Sequence, residues 1–250
     1  MQSREELILH LLDSIGKVNV NELAVQFEVS VETIRRDLAK LSQKGLLHRV
    51  HGGAVSCRTK DVGHSFQSRL RANYETKKQI AESAVEYVFE NSVIGLDASS
   101  TSWHFAQLIP NIPCTIVTNS MRNIVTLANR PNVRTIATGG VYSAKYDAFY
   151  GPLSEQLLLR LHIDICIFSC SGLDSSGAIW ESNEVNASTK RKLLDTSEKK
   201  FLLADSSKFE RKNLIKLGEL SQVDILFTDK LPNDTFQNYC QDKDIFISYI

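Results

Sequence analysis

Five clusters of hydroxyl, carboxylate and glycine residues stand at the ends of β-rich runs: Asp97-Ala98-Ser99-Ser100-Thr101, Thr118-Asn119-Ser120, Thr138-Gly139-Gly140, Ser169-Cys170-Ser171-Gly172-Leu173-Asp174 and Asp205-Ser206-Ser207-Lys208. Hydroxyls together with free backbone amides at a helix start can hold a phosphate, and the first cluster runs straight into a helix expected near Ser102. Lys208 and Lys145 are the cations available to it. Asp97, Asp174, Glu181 and Asn183 would then exchange hydrogen bonds with sugar hydroxyls, so a phosphorylated sugar is the ligand that this chemistry suits. Taken singly, such a loop reads more readily as an ordinary cap or turn. Taken together the loops point to a site, because ligands of open α/β sheets bind beyond the carboxyl ends of the strands. The candidate effector residues are thus Asp97, Ser99, Ser100, Thr101, Thr118, Asn119, Ser120, Gly139, Gly140, Lys145, Asp174, Glu181, Asn183, Asp205 and Lys208.

A second chemistry sits at the other end of the chain. From residue 31 to 41, Val31, Ile34, Leu38 and Leu41 fall on one side of a helix while Thr33, Arg36 and Lys40 cluster opposite, flanked by Arg35 and Glu32. Ser30 is placed as N-cap, and Glu32 suits the positive end of the helix dipole. The preceding segments read as an amphipathic helix through Leu7, Ile8, Leu11, Leu12 and Ile15, broken at Gly16, and a short helix from Val20 to Phe27. Two helices, a tight Glu28-Val29-Ser30 link and a basic third helix match the docking geometry of a helix-turn-helix. A hairpin follows: a strand over Leu46 to His51, a turn at Gly52-Gly53 and a return through Ala54-Val55, with Gly45 closing the helix before it. Arg49, His51 and Gly52 lie where a wing meets the DNA backbone or the minor groove. An isolated charged helix is more often just a solvated face, but the surrounding elements favour the groove.

The 250-residue chain carries 29 Lys+Arg against 29 Asp+Glu, a balance unlike the basic footprint of a nucleic-acid binder. The balance is local in origin: residues 1 to 30 hold two basic against five acidic residues, and residues 31 to 60 hold seven against two. No apolar run approaches the roughly 18 residues of a membrane span and the first residues are polar, so no membrane partner and the cytoplasm are expected. Cys57, Cys114, Cys166, Cys170 and Cys240 form no C-x-x-C and read as buried thiols; Cys166 and Cys170 are expected on one strand face. His10, His104 and His162 lack metal-ligand spacing with one another, and neither a metal nor a cofactor is expected.

The boundaries that follow are 1 to 56 for a winged helix-turn-helix, 57 to 74 for a polar linker and 75 to 250 for a larger α/β domain, with Phe66, Leu70 and Tyr74 spaced to begin a helix that docks the linker. Strands are expected at Ser92 to Leu96, Cys114 to Thr118, Val133 to Thr138, Ile165 to Ser169, Phe201 to Ala204, Ile225 to Thr228 and Ile245 to Tyr249. Helices fill Lys77 to Glu90, Ser102 to Ile109, Met121 to Asn129, Leu153 to Leu161 and Ala187 to Thr196. This alternation predicts a mostly parallel sheet covered by helices.

The run from Val20 to Ala54 resembles the signature of DeoR-type bacterial regulators, through S30-V-E-T-I-R-R-D-L38 and H51-G-G-A54. The segments Val93 to Trp103, Ser169 to Asn183 and Ala204 to Phe209 resemble the sensor domain of the same family, so the likeness spans nearly the whole chain. The resemblance implies a sensor fold like that of sugar-phosphate isomerases, contacts from Thr33, Arg35 and Arg36 to double-stranded operator DNA, and a phosphosugar effector. Effector binding that changes the spacing of two DNA-reading units on a palindromic or repeated site requires a homo-oligomer, and RNA polymerase is a further partner if the regulation is activation. One departure is the first loop, D97-A-S-S-T101, where many members carry a glycine; it puts the phosphate position in doubt. An isomerase is the competing function, with Glu181 and Glu184 the carboxylates after Asp174 available as its base. A redox pair of Cys166 and Cys170 is weaker, since burial disfavours the thiolate.

Overall fold

The computed structural model describes residues 3–15, 17–44, 46–56, 61 and 63–250. Gly16, Gly45, residues 57–60 and residue 62 lie outside the described residues, and with them the expected helix-closing roles of the two glycines, the Cys57 thiol and the start of the linker. The chain divides into two compact units, Met1–Gly63 and His64–Ile250.

In the first unit, α1 (Arg4–Ile15) leads through β1 (Lys17–Asn19) to α2 (Val20–Gln26) and α3 (Val31–Gln43), then to β2 (Leu47–Val50) and β3 (Gly53–Ser56). Ile8, Leu12, Leu23, Ile34, Leu38, Leu41 and Leu47 are fully buried and make the small core expected from their spacing. Val31 is only half-buried at the start of α3, whereas Asp37 is buried and bound by Arg4, which fixes α1 against α3 (Nε to Oδ2, 2.6 Å). A carboxylate on the packing side was not foreseen; the guanidinium makes it tolerable. β3 pairs antiparallel with both β2 and β1, so the hairpin is the edge of a three-stranded sheet rather than a free flap.

The second unit opens with α4 (Phe66–Arg71) and α5 (Tyr74–Val85) and continues through β4 (Val93–Leu96), α6 (Ser100–Leu108), β5 (Cys114–Thr118), α7 (Met121–Leu127), β6 (Val133–Ala137), β7 (Val141–Ser143), β8 (Ala148–Tyr150), α8 (Pro152–Leu158), β9 (Ile163–Phe168), β10 (Gly172–Leu173), β11 (Ala178–Glu181), α9 (Glu184–Asp195), β12 (Ser197–Leu203), β13 (Ile215–Glu219), β14 (Ile225–Thr228), α10 (Asp234–Asp242) and β15 (Phe246–Tyr249). Seven strands form one parallel sheet in the order β15-β14-β12-β9-β4-β5-β6. Each of the expected strands is present. The chain runs outward from β4 to β6 on one side and from β9 to β15 on the other, so the order reverses between β4 and β9. That reversal opens the crevice in which doubly wound sheets bind ligands.

Several elements differ from expectation. The antiparallel pair β7-β8 and the sheet β10-β11-β13 were not expected: their strands are two to five residues long and most of them mix polar residues or glycine with apolar ones, so they lack the apolar run that marks the parallel strands. α10 carries a single buried pair, Phe236 and Cys240, in an otherwise polar helix. Cys170 lies past the end of β9 and so does not share a strand face with Cys166, although both are buried. Burial pushes the Cys166 thiol up, Cys170 up to about 12 and Cys240 up to about 11. These thiols stay protonated, which removes the redox pair. No helix of the described residues is long and apolar enough to cross a membrane.

Candidate DNA-reading face and effector site

Ser30 closes the start of α3: its Oγ accepts from the Thr33 amide at 3.2 Å and lies 2.8 Å from Thr33 Oγ1. Glu32, Arg35, Arg36 and Lys40 are exposed along α3, with Arg35 and Glu32 held 3.6 Å apart at the surface. Arg49 on β2 and His51 and Gly52 in the turn are exposed as well. Gly52 takes φ +77°, a left-handed conformation that glycine adopts without cost. Gly53 is required for a different reason: a Cβ there would lie 1.9 Å from the Val18 carbonyl of β1. The candidate contacts thus form two exposed basic elements on one unit, α3 and the hairpin, of the kind that place a helix in the major groove and a cation on the backbone.

In the second unit the loops after β4, β5, β9 and β12 meet at the crevice. Ser99 caps α6 by accepting from the Ser102 amide at 3.0 Å, and Asp97 folds back on the same turn, accepting from Ser99 N at 3.1 Å and from the Ser102 hydroxyl. Its other oxygen accepts from Ser169 N at 3.1 Å and faces Lys190 Nζ at 3.1 Å, so one carboxylate joins the ends of β4 and β9. Burial alone would raise the Asp97 pKa, but the Lys190 charge and the Ser102, Ser99 and Ser169 hydrogen bonds hold it below the usual carboxylate range. Lys190 also faces Glu181 Oε2 at 3.3 Å and donates to Ser169 O at 2.6 Å. Burial would lower its pKa; Glu181 and Asp97 raise it instead.

A cleft beside this ion triad is lined by Leu96, Asp97, Ala98, Thr118, Asn119, Tyr150, Asn186, Thr189 and Lys190. Thr189 Oγ1 is buried there without a hydrogen-bond partner among the described residues. Tyr150, Asn186, Thr189 and Lys190 were not identified from the sequence, in which this stretch supplied Asn183 as a candidate and a helix from Ala187. The missed signal is a polar stripe, Asn186 and Lys190 four apart, that continues into the buried Leu193 and Leu194.

Beside the start of α6, Lys77 of α5 is buried and donates to Arg69 O and Ala72 O, both at 2.6 Å, and to Ser100 Oγ at 3.2 Å. Burial first, and then the charges of Lys208 and Arg69, lower its pKa to about 8. Asp205 caps the turn at Ser206–Lys208, accepts from Asn73 Nδ2 at 2.9 Å, and keeps its buried Oδ2 without a hydrogen-bond partner. Against the pull of burial, Lys208, Ser207, Lys77 and Asn73 hold its pKa down. Arg69 donates to Ala98 O at 3.2 Å, which ties this cationic corner to the cleft.

Other candidate residues are occupied by the fold. Asp174 takes bonds from Ser176, Ala178 and Trp180 Nε1 and thereby builds its own β10-β11 turn. Asn183 caps α9 and donates to Tyr146 at 2.9 Å. Thr118 and Ser120 bond the backbone and cap α7. Asn119 binds Phe149 O, and Gly139 and Gly140, both at positive φ, turn the chain into β7. Lys145 is exposed in the β7-β8 turn, its Nζ 5.2 Å from the Tyr146 ring centroid. Glu181 is held by Lys190 and by the Ser171 hydroxyl, and Glu184 is exposed and paired with Arg191 at 2.9 Å, so neither is a free carboxylate base. Away from the crevice, His162, Asp164 and Glu198 bring one ligand atom each within 4.8 Å of one another, although His162 and Glu198 already pair and Asp164 holds the Val93 amide.

Residues 4–60 match the DeoR-like helix-turn-helix domain and residues 72–230 the DeoR C terminal sensor domain. The chain is 60% identical to the L-fucose operon activator of Haemophilus influenzae over 98% of both chains, and 38% identical to the L-fucose operon activator of Escherichia coli over 91% of this chain and 95% of that one. It is 31% identical to the E. coli HTH-type transcriptional repressor CsqR, over 98% and 94%. Ribose 5-phosphate isomerase A of Methanocaldococcus jannaschii superposes with a TM-score of 0.42 at 15% identity over 55% of each chain. With both family domains matched in order along the chain and the exposed basic helix where a DNA-reading element belongs, this protein belongs to the DeoR family of DNA-binding transcription regulators.

Proposed function

We propose that this regulator activates an operon for L-fucose use, with fuculose 1-phosphate as the effector held at the β4 crevice. The observation that carries the site is the start of α6, capped by Ser99 at the sheet's reversal point, where Ser100 accepts from Lys77 and the Lys208 charge acts on that lysine. The positive end of α6 and the charges of Lys77 and Lys208 suit a phosphate dianion. The lining groups Asn119, Tyr150, Asn186 and Thr189 offer donors and acceptors to sugar hydroxyls, and Lys190 with Asp97 and Glu181 fixes the floor. Fucose and the sign of regulation rest on the names of the relatives at 60% and 38% identity. Self-association would place two α3 helices on paired half-sites, and an activator would in addition meet RNA polymerase.

Thermal denaturation of the full chain tests the effector. Fuculose 1-phosphate at 100 times its dissociation constant adds about 2.7 kcal/mol, several degrees of midpoint shift. The shift is expected to vanish with unphosphorylated fuculose and to fall strongly in Lys208→Ala and Thr101→Ala. No shift with any phosphosugar would remove the effector site and leave the DNA-binding function standing.

A further inference from the structure

The two buried lysines of the sensor unit are in opposite electrostatic states. Lys190 has two carboxylates against it. Lys77 spends all three N–H donors on neutral oxygens, those of Arg69, Ala72 and Ser100, and among the described residues forms no ion pair. The charges of Lys208 and Arg69 act on it as well, and the carboxylate that faces the Lys77 and Lys208 charges is Asp205. The Nε of Arg69 and the Oδ2 of Asp205 are buried without partners among the described residues. Lys77 is buried, Arg69 and Lys208 are half-buried, and a buried charge among like charges is costly unless an anion neutralises it.

These groups all bear on one short piece of backbone, the elbow between α4 and α5. Lys77 grips the last carbonyls of α4, Ser100 donates to the Arg69 carbonyl at 3.3 Å, and Asn73 bonds Asp205 Oδ1 and, at 3.3 Å, Ser207 Oγ. Asn73 sits at φ +54° and makes no side-chain cap for α5, so its side chain is committed to the β12 loop. α4 is the first helix after the segment that joins the two units.

Resting on the effector site proposed above, we infer that the effector's phosphate is the missing counter-ion of Lys77, Arg69 and Lys208, and that by binding it locks the α4–α5 elbow and so signals occupancy to the linker. Without the anion the like charges strain the elbow and it opens more often. With the anion the elbow closes, and the order of α4 follows the state of the site.

Amide hydrogen exchange of the full chain, with and without saturating fuculose 1-phosphate and with fuculose as the uncharged control, reads this directly. The phosphosugar is expected to slow exchange at residues 100–104 and also at residues 66–73 by about threefold or more, and fuculose is expected to do neither. In Asn73→Gly, which keeps the left-handed backbone but loses the tether, protection at 100–104 should persist while that at 66–71 is lost. Protection at 100–104 with residues 66–73 unchanged would overturn the inference, as would full protection of 66–71 in Asn73→Gly. No response at either segment, together with no thermal shift, would instead remove the effector site itself and the inference with it.

Discussion

At the scale of single residues, the sensor unit depends on how its buried charges are partnered. Lys190 is the centre of a triad with Asp97 and Glu181, so Lys190→Met leaves two uncompensated carboxylates. Removing one partner of a buried ion pair typically costs about 3–5 kcal/mol, and urea denaturation should find a loss of that order, with binding of the proposed effector lost as the β4 and β9 loops part. His104, buried against Tyr74 and Trp103, provides a second test. Burial, and then the charges of Lys77 and Lys78, lower its pKa to about 4 from an ordinary value of 6.5. The unfolded chain therefore binds a proton that the folded chain refuses between those values, and stability is lost as pH falls from about 6.5 to 4, by at most about 3 kcal/mol. His104→Phe keeps the aromatic contacts and should flatten that part of the stability profile; an unchanged slope would show that other groups set it.

At the scale of elements, α3 separates into a buried side that holds the unit together and an exposed side that holds nothing in it. Ser30→Ala removes the cap and should cost about 1 kcal/mol of stability. Arg36→Ala and Lys40→Ala should leave the melting temperature unchanged and weaken operator binding, each lowering the slope of log affinity against log salt by about one if its contact is to phosphate. Arg35 is the more informative substitution, since Glu32 already orients it; a loss of sequence preference without a change in salt slope would make it the base-reading residue. The wing behaves differently again. Gly53→Ala brings a methyl group against the β1 carbonyl, so operator affinity and folding of the first unit should fail together.

At the scale of the whole molecule, the two units have separate cores and separate tasks. Calorimetry should resolve two unfolding transitions, with the proposed phosphosugar effector raising only that of residues 64–250 and operator DNA only that of residues 1–63. A single transition moved equally by both ligands would show that the units fold as one.

Much of this organisation was legible in the amino-acid sequence. The 3.6-residue spacing of Ile34, Leu38 and Leu41, the cap at Ser30 and the glycine pair at 52 and 53 are local signals, and local signals determined the helix-turn-helix, its hairpin and its exposed cations. The seven parallel strands were legible for the same reason, each being a short apolar run that ends in turn residues. The partners of the charged residues were not legible, because they come from positions far apart in sequence. Asp97 meets Lys190, Lys77 meets Ser100, and Asn73 meets Asp205 only once β4, β9 and β12 lie side by side. Tertiary structure therefore decided which polar residues face the crevice and which serve the backbone: it drew in Lys77, Thr189 and Lys190 from helices expected only to cover the sheet, and it committed Asp174 to a turn. A side chain's type is written in the sequence, but whether its charge is compensated depends on what the fold buries beside it.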